Sequence, residues 1–238
     1  AIYGVYNIAS IGTLTNEGTI ATSKQTGLGQ NQTGFVGKLV NSGVVSGGNS
    51  GLNNAGTITT LVNSGQIRGG SNTGLFNNAG TIGIVTNSGN ISGNSSGIFN
   101  SVGSIGSIVN ASGGTISAAF DAVGNAGVIT SISNAGLIAG KTGIYLNGSA
   151  ATTLSNIGTV IGTSGTAINM LGSVANTLIF ATGSAVQGTI NAGTTASTIE
   201  LQGTPTLGTL APINLPTGTL INQGTLSGQA YGIVNAAT

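Results

Sequence analysis

The 238 residues carry four basic and three acidic side chains, no cysteine and no histidine, beside 44 glycines. This balance excludes the clustered Lys and Arg of a nucleic-acid or anionic-lipid surface, and it removes disulfides, the usual zinc, copper and haem ligands and the Ser-His-Asp triad. Collagen fails because the glycines do not recur every third residue and prolines number three, and disorder fails because regular Ile, Val and Leu give each turn something to bury.

In chain order, residues 1–7 read A-I-Y-G-V-Y-N and have a near-copy, Q-A-Y-G-I-V-N, at 229–235. Both stretches look like the end of a repeat unit, so the chain is expected to be a segment of a longer solenoid. No apolar run approaches the ~18 residues of a membrane span, and the first residues are not a signal peptide. Direct membrane insertion of this segment is therefore not expected, and an exported parent would carry its targeting and anchoring parts elsewhere.

The organising stretch is Asn54–Gly80, in which a short unit and a longer one each open on Asn-x-Gly-x-Ile. Together they span about 24 residues, the length of one coil of a repeat protein. Anchoring asparagines follow at Asn7, Asn16, Asn31, Asn41, Asn54, Asn63, Asn78, Asn87, Asn100, Asn110, Asn125, Asn134, Asn147, Asn156 and Asn169. Steps of about nine residues alternate with steps of about 13 to 15. Ile58, Ile67, Ile82, Ile91, Ile105, Ile116, Ile129 and Ile138 recur two places after a glycine or its equivalent, β-branched residues suited to a pleated surface and expected to point inward. Gly56, Gly65, Gly80, Gly89, Gly127 and Gly136 are expected at corners, for a positive φ and for close approach of successive backbones. The asparagines are expected to stack in ladders.

The regular coils run over residues 1–170 of what reads as one β-helix segment, 1–238. Residues 171–217 change cadence and include Pro205, Pro212 and Pro216, which predicts irregular coils over this range, with a protruding loop or an irregular coil near 203–217. The repeat resumes over 218–238. Gly and β-branched residues with no 3.6-residue stripe exclude helices. The pattern predicts an all-β, right-handed parallel β-helix with three strands per coil and roughly ten coils, on the order of 50 Å tall.

The run from Asn176 to Gly193, N-T-L-I-F-A-T-G-S-A-V-Q-G-T-I-N-A-G, continuing through S-T-I-E-L-Q-G to Gly203, resembles the Gly-rich strands of bacterial (type V) autotransporter passenger domains. The Asn-x-Gly-x-Ile repeats of residues 7–169 look like the same class. The resemblance implies a passenger exported across the outer membrane to the cell surface or secreted, with a C-terminal translocator barrel in the full-length protein. It also implies an adhesin or self-association module, acting in aggregation, biofilm or host attachment, whose partner is another copy, a cell-surface receptor or a glycan.

Catalysis is weighed against this. Glu17, Asp121 and Glu200 are the only carboxylates, and the period puts them about four or more coils apart, too far for the ~5 to 9.5 Å of a glycosidase pair. A Ser-Lys dyad would need Lys24, Lys38 or Lys141, and nothing singles one out. The reading is therefore no enzyme and no catalytic, cofactor-binding or metal-binding residue. Ice binding through threonine rows is a further alternative, but Thr13/Thr15 and Thr57/Thr59 give way to Gly83 and Val128 at equivalent places. A passive stalk presenting another domain is the remaining one.

Overall fold

The computed structural model describes residues 2–207, 213–225 and 233–234. Among them every regular element is a strand, and every strand pair is parallel, so the chain is a parallel β-solenoid. One sheet holds ten strands, stacked from Ser10–Asn16 through Phe35–Asn41, Thr57–Asn63, Thr81–Asn87, Ser104–Asn110, Val128–Asn134, Thr153–Asn156, Thr177–Phe180 and Ser197–Gly203 to Gly218–Gly224. Ten strands separated by one coil each make about nine turns. A seventeen-stranded sheet supplies the rest of each turn.

The sheets stack because the sequence places the same kind of residue at the same place in successive coils. Ile58, Ile82, Ile105 and Ile129 are register partners in one file, all fully buried. Ile67, Ile91, Ile116 and Ile138 form a second file. A third runs through Leu28, Leu52, Leu75, Ile98, Val123 and Ile144. Each such side chain contributes up to about 1.5 to 3 kcal/mol of burial. In Thr57–Asn63 the side chains alternate inward and outward except at Thr59 and Thr60, which both face out, so the strand bows and Leu61 and Asn63 return to the interior.

The number of strands per turn is not uniform. Leu137–Leu146 pairs with both Thr115–Ala118 and Asp121–Asn125 below it, and Thr159–Met170 follows it as one unbroken run. Where earlier coils break between two strands, these coils bend without breaking.

Four anchor assignments are corrected. The ladder position at the end of the Gly-Φ-x-x strands is held by Gln30, Asn77, Leu146 and Met170, not by Asn31, Asn78, Asn147 and Asn169. Asn78 and Asn147 are exposed, and Asn31 and Asn169 are half-buried. The glycine expectation is half corrected. None of Gly56, Gly65, Gly80, Gly89, Gly127 or Gly136 has a positive φ. They are glycines for proximity, since a Cβ on Gly65 would lie 2.1 Å from the Gly43 carbonyl oxygen.

Stacking continues through the predicted irregular coils, with register shifts between Thr159–Met170 and Ala185–Asn191. Of the three prolines, Pro205 is buried and Pro216 half-buried, while Pro212 and the rest of residues 208–212, where the loop or irregular coil is expected, lie outside the described residues. Of the closing unit expected at 232–235, Ile233–Val234 is described and pairs with Ile213–Asn214; its neighbours 232 and 235 lie outside the described residues.

Candidate functional surface

The interior asparagines come first, because their geometry decides whether they are free to act. Asn16, Asn41, Asn63, Asn87, Asn110, Asn134 and Asn156 form one ladder, each Nδ2 donating to the next Oδ1 at 2.7 to 2.9 Å. A second ladder runs from Asn54 through Asn77 and Asn100 to Asn125, at 2.8 Å per step. The same amino groups reach backbone carbonyls of the local turn and of the next coil, as Asn87 does to Gly89 and Thr115. Buried and bonded to one another along each file, these amides are structural; the two unpartnered atoms among them, Asn54 Oδ1 and Asn125 Nδ2, lie in the interior at the ends of the second ladder.

The carboxylates do not meet. Glu17 follows the first strand of the ten-stranded sheet, and Glu200 lies eight strands further on, roughly 38 Å away at ~4.8 Å per strand. Glu200 accepts a bond from Gln202 at 2.8 Å. Asp121 sits in another file between Ser96 and Thr142. Its half-buried position pushes its carboxyl above the usual 3.8 by desolvation, partly offset by the hydrogen bond from Thr142. Among the described residues no three His, Cys, Asp or Glu side chains gather as a metal site. Lys24, Lys38 and Lys141 are exposed. Ser164, the serine bonded to Lys141, donates to its backbone carbonyl rather than facing the amine, and the Lys141 ammonium lies 5.8 Å from the centre of the Phe120 ring.

What the fold does assemble is rows along the rod. On the ten-stranded sheet one outward row passes from Thr13 and Lys38 through Thr60, Ile84, Ser107 and Ser131 to Thr153, Thr177, Thr198 and Thr219. The four successive threonines at its upper end escaped sequence reading. Their flanking row reads Ser155, Ile179, Glu200 and Ile221, so the threonines form a single file with no second threonine file on that side.

A second row, on the other sheet, is aromatic and amide. It runs Tyr6, Gly29, Asn53, Phe76, Phe99, Gly124 and Tyr145, then Asn169, Asn191 and Asn214. The Phe76 and Phe99 rings stack with centroids 5.9 Å apart, and Phe99 leans over Gly124, where a Cβ would lie 2.8 Å from the ring. Sequence reading missed this row because its members become neighbours only when the coil register is known.

Two of the concavities among the described residues open on the seventeen-stranded sheet. One, of about 560 Å³, lies along Gln66, Arg68, Asn90, Ser92 and Ser117. The other, of about 260 Å³, lies at the foot of the aromatic row, between the stacked rings of Tyr3 and Tyr6 and the amides around Asn53. No protein-family model, curated protein or solved structure matches the chain.

Proposed function

We propose that this chain is a segment of an autotransporter passenger, a right-handed rod with three strand segments as its basic coil, displayed on a bacterial surface. It acts there by adhesion or self-association and without catalysis. The observation that carries the reading is the outer surface, in which rows made mostly of Thr, Ser and Asn, with stacked aromatics and with Lys38 the one charge in the threonine row, run along the column, while its few ionisable groups are scattered singly. Such rows pair with another polar surface through many weak hydrogen bonds repeated at the coil spacing. Because little charge is involved, the association is only weakly salt-sensitive.

The test is display of the 238-residue chain on a bacterium that does not aggregate or adhere by itself. Clumping or attachment that persists from low to moderate salt, and disappears when outward Thr177, Thr198 and Thr219 together become Glu, supports the proposal. If the displayed rod confers neither behaviour while a neighbouring part of the full-length protein does, it is a passive stalk. The full reading frame tests export separately, by the presence of a C-terminal barrel sequence.

A further inference from the structure

Of the two concavities, the smaller is chemically the more selective. Tyr3 and Tyr6 lie ring on ring, centroids 4.4 Å apart and 24° from parallel. They rest over Gly29, where a Cβ would come within 2.7 Å of the Tyr3 ring, so the absence of a side chain at 29 is what lets the rings lie against the coil. Tyr6 is still 49% exposed. The remaining wall is mostly of amides, from Asn31, Gln32, Asn53 and Asn78, with Ala55 beside them, and none of the chain's seven charged side chains lines it.

Hydrogen-bond accounting narrows the ligand further. Gln30 is fully used, its Nε2 donating to the Gly34 and Thr57 carbonyls at 2.9 and 2.7 Å. Asn31 spends its Oδ1 on the backbone N and hydroxyl of Thr33, which leaves its amino group to donate outward. Asn53 Oδ1 is buried with no hydrogen-bond partner, an unfavourable condition that an incoming donor relieves after a small rotation of the amide. The site thus offers an aromatic face, an amide donor and an orphan acceptor, with no charge to compensate.

We infer that this cleft binds one neutral sugar residue, a hexose or N-acetylhexosamine at the end of a cell-surface glycan. A pyranose ring has an apolar C–H face that packs on a tyrosine and hydroxyls that both donate and accept, the combination the walls require. An anionic group would enter without a counter-charge, and a purely apolar group would leave Asn53 unsatisfied. The volume, about 260 Å³, falls below the ~300 to 1,000 Å³ of pockets that enclose drug-sized ligands, which limits the occupant to one ring. The inference rests on the adhesive reading and supplies its ligand class.

The chain has four tyrosines and no tryptophan, so tyrosine fluorescence reports directly on a site containing two of them. The 238-residue protein is titrated with galactose, mannose, N-acetylglucosamine and N-acetylgalactosamine, and separately with sialic and glucuronic acids, with saturation-transfer NMR as the second readout. At least one neutral sugar is expected to bind saturably and the acids not. Tyr6→Ala is expected to weaken binding about tenfold, Tyr6→Phe to retain most of it, and Asn53→Leu to abolish it, with circular dichroism melts unchanged for the exposed Tyr6 variants. No binding by any neutral sugar, or binding indifferent to Tyr6→Ala and Asn53→Leu, overturns the inference. Preferential binding of the acids overturns it too. Cell attachment by the displayed rod that survives Tyr6→Ala and Asn53→Leu would leave the adhesive reading standing and remove the sugar cleft alone.

Discussion

From Asn16 to Asn156 the interior corner after each strand of the ten-stranded sheet is filled by carboxamides in hydrogen-bonded file; in the next strands the same place holds Phe180 and Leu201, both fully buried. The opposite change happens at the other end of those strands. The file of Ile58, Ile82, Ile105 and Ile129 passes to Thr152, Asn176 and Ser197, with Thr152 Oγ1 donating to the Ile129 carbonyl and the backbone N of Asn176 donating to Ser197 Oγ. Polar and apolar interior have changed places, and the column continues. The other ladder likewise gives way, with Leu146 and Met170 above Asn125.

The two solutions differ in what they do for the backbone. A ladder amide accepts from one coil, donates to the next, and also reaches the carbonyls of its own turn, so the turn is capped. A phenylalanine or leucine fills the same space and satisfies nothing. Among the described residues a positive φ is less frequent in the ladder coils, where Ala79 and Gly113 adopt it, than beyond Asn156, where Gly165, Gly183, Gly188, Gly193, Gly203 and Gly218 all do.

The sharpest way to break the contrast is to put hydrocarbon into a ladder. Asn87→Leu removes the acceptor of Asn63 and the donor to Asn110, and strips the Gly89 and Thr115 carbonyls of a bond. A loss of about 2–5 kcal/mol in urea denaturation is expected, against under ~1.5 kcal/mol for Phe180→Leu in the hydrocarbon corner. Equal losses would mean the ladder amides act as filler.

A junction between the two regimes allows the reverse substitution. Asn125 Nδ2 is buried without a partner because Leu146 stands where the next amide would be. Leu146→Asn supplies the missing acceptor, whereas Leu154→Asn places an amide among Ile132 and Leu178 with none. The second is expected to cost about 1–2 kcal/mol more than the first. Thermal melts of the two variants decide this, and an equal cost would remove the explanation offered for the orphan on Asn125.

A smaller effect, of opposite sign, lies at the foot of the second ladder. Gln30 is one methylene longer than the asparagines above it, so its amide bypasses Asn54 and bonds the Thr57 carbonyl, leaving Asn54 Oδ1 buried and unpartnered. Gln30→Asn is expected to restore the bond and raise stability by about 0.5–1.5 kcal/mol. A destabilised variant would show that the longer side chain is needed to fill its corner.

These sites also mark how far the sequence could be read. The isoleucine files and both ladders were legible, because a strict repeat puts like residues in register and parallel stacking converts that spacing into contact. The ladder residue lies one place from the expected anchor at Asn31, Asn78, Asn147 and Asn169: at the first two a second amide, Gln30 or Asn77, competes for the role, and at the last two an apolar residue, Leu146 or Met170, holds the place. The distinguishing signal was present, since the inward residue is the third after the glycine in Gly27–Gln30, Gly74–Asn77 and Gly143–Leu146. The exchange at Phe180 was not legible, because a buried apolar residue fits the strand pattern at either end. The Tyr3/Tyr6 cleft depends on cross-coil neighbours and on an orphan oxygen, neither of which has a counterpart in spacing.

Asp121 provides the smallest effect and the one that depends on pH. Its register partners are Ser96 and Thr142, so a carboxylate occupies a place where adjoining coils carry a hydroxyl. Burial raises its folded-state pKa above 3.8, more than the Thr142 hydrogen bond lowers it. At pH values between 3.8 and the raised value the folded chain retains a proton that the unfolded chain has released. Stability from this group is therefore fully present below 3.8, falls as pH rises through the raised value, and is level above it. Asp121→Thr is expected to abolish that slope and to be more stable than the parent at pH 7, by no more than about 0.5 kcal/mol. Urea midpoints across the acidic range measure both. A parent whose stability rises over the same window, with Asp121→Thr flat, would mean the carboxylate is held by a favourable partner and not merely deprived of water.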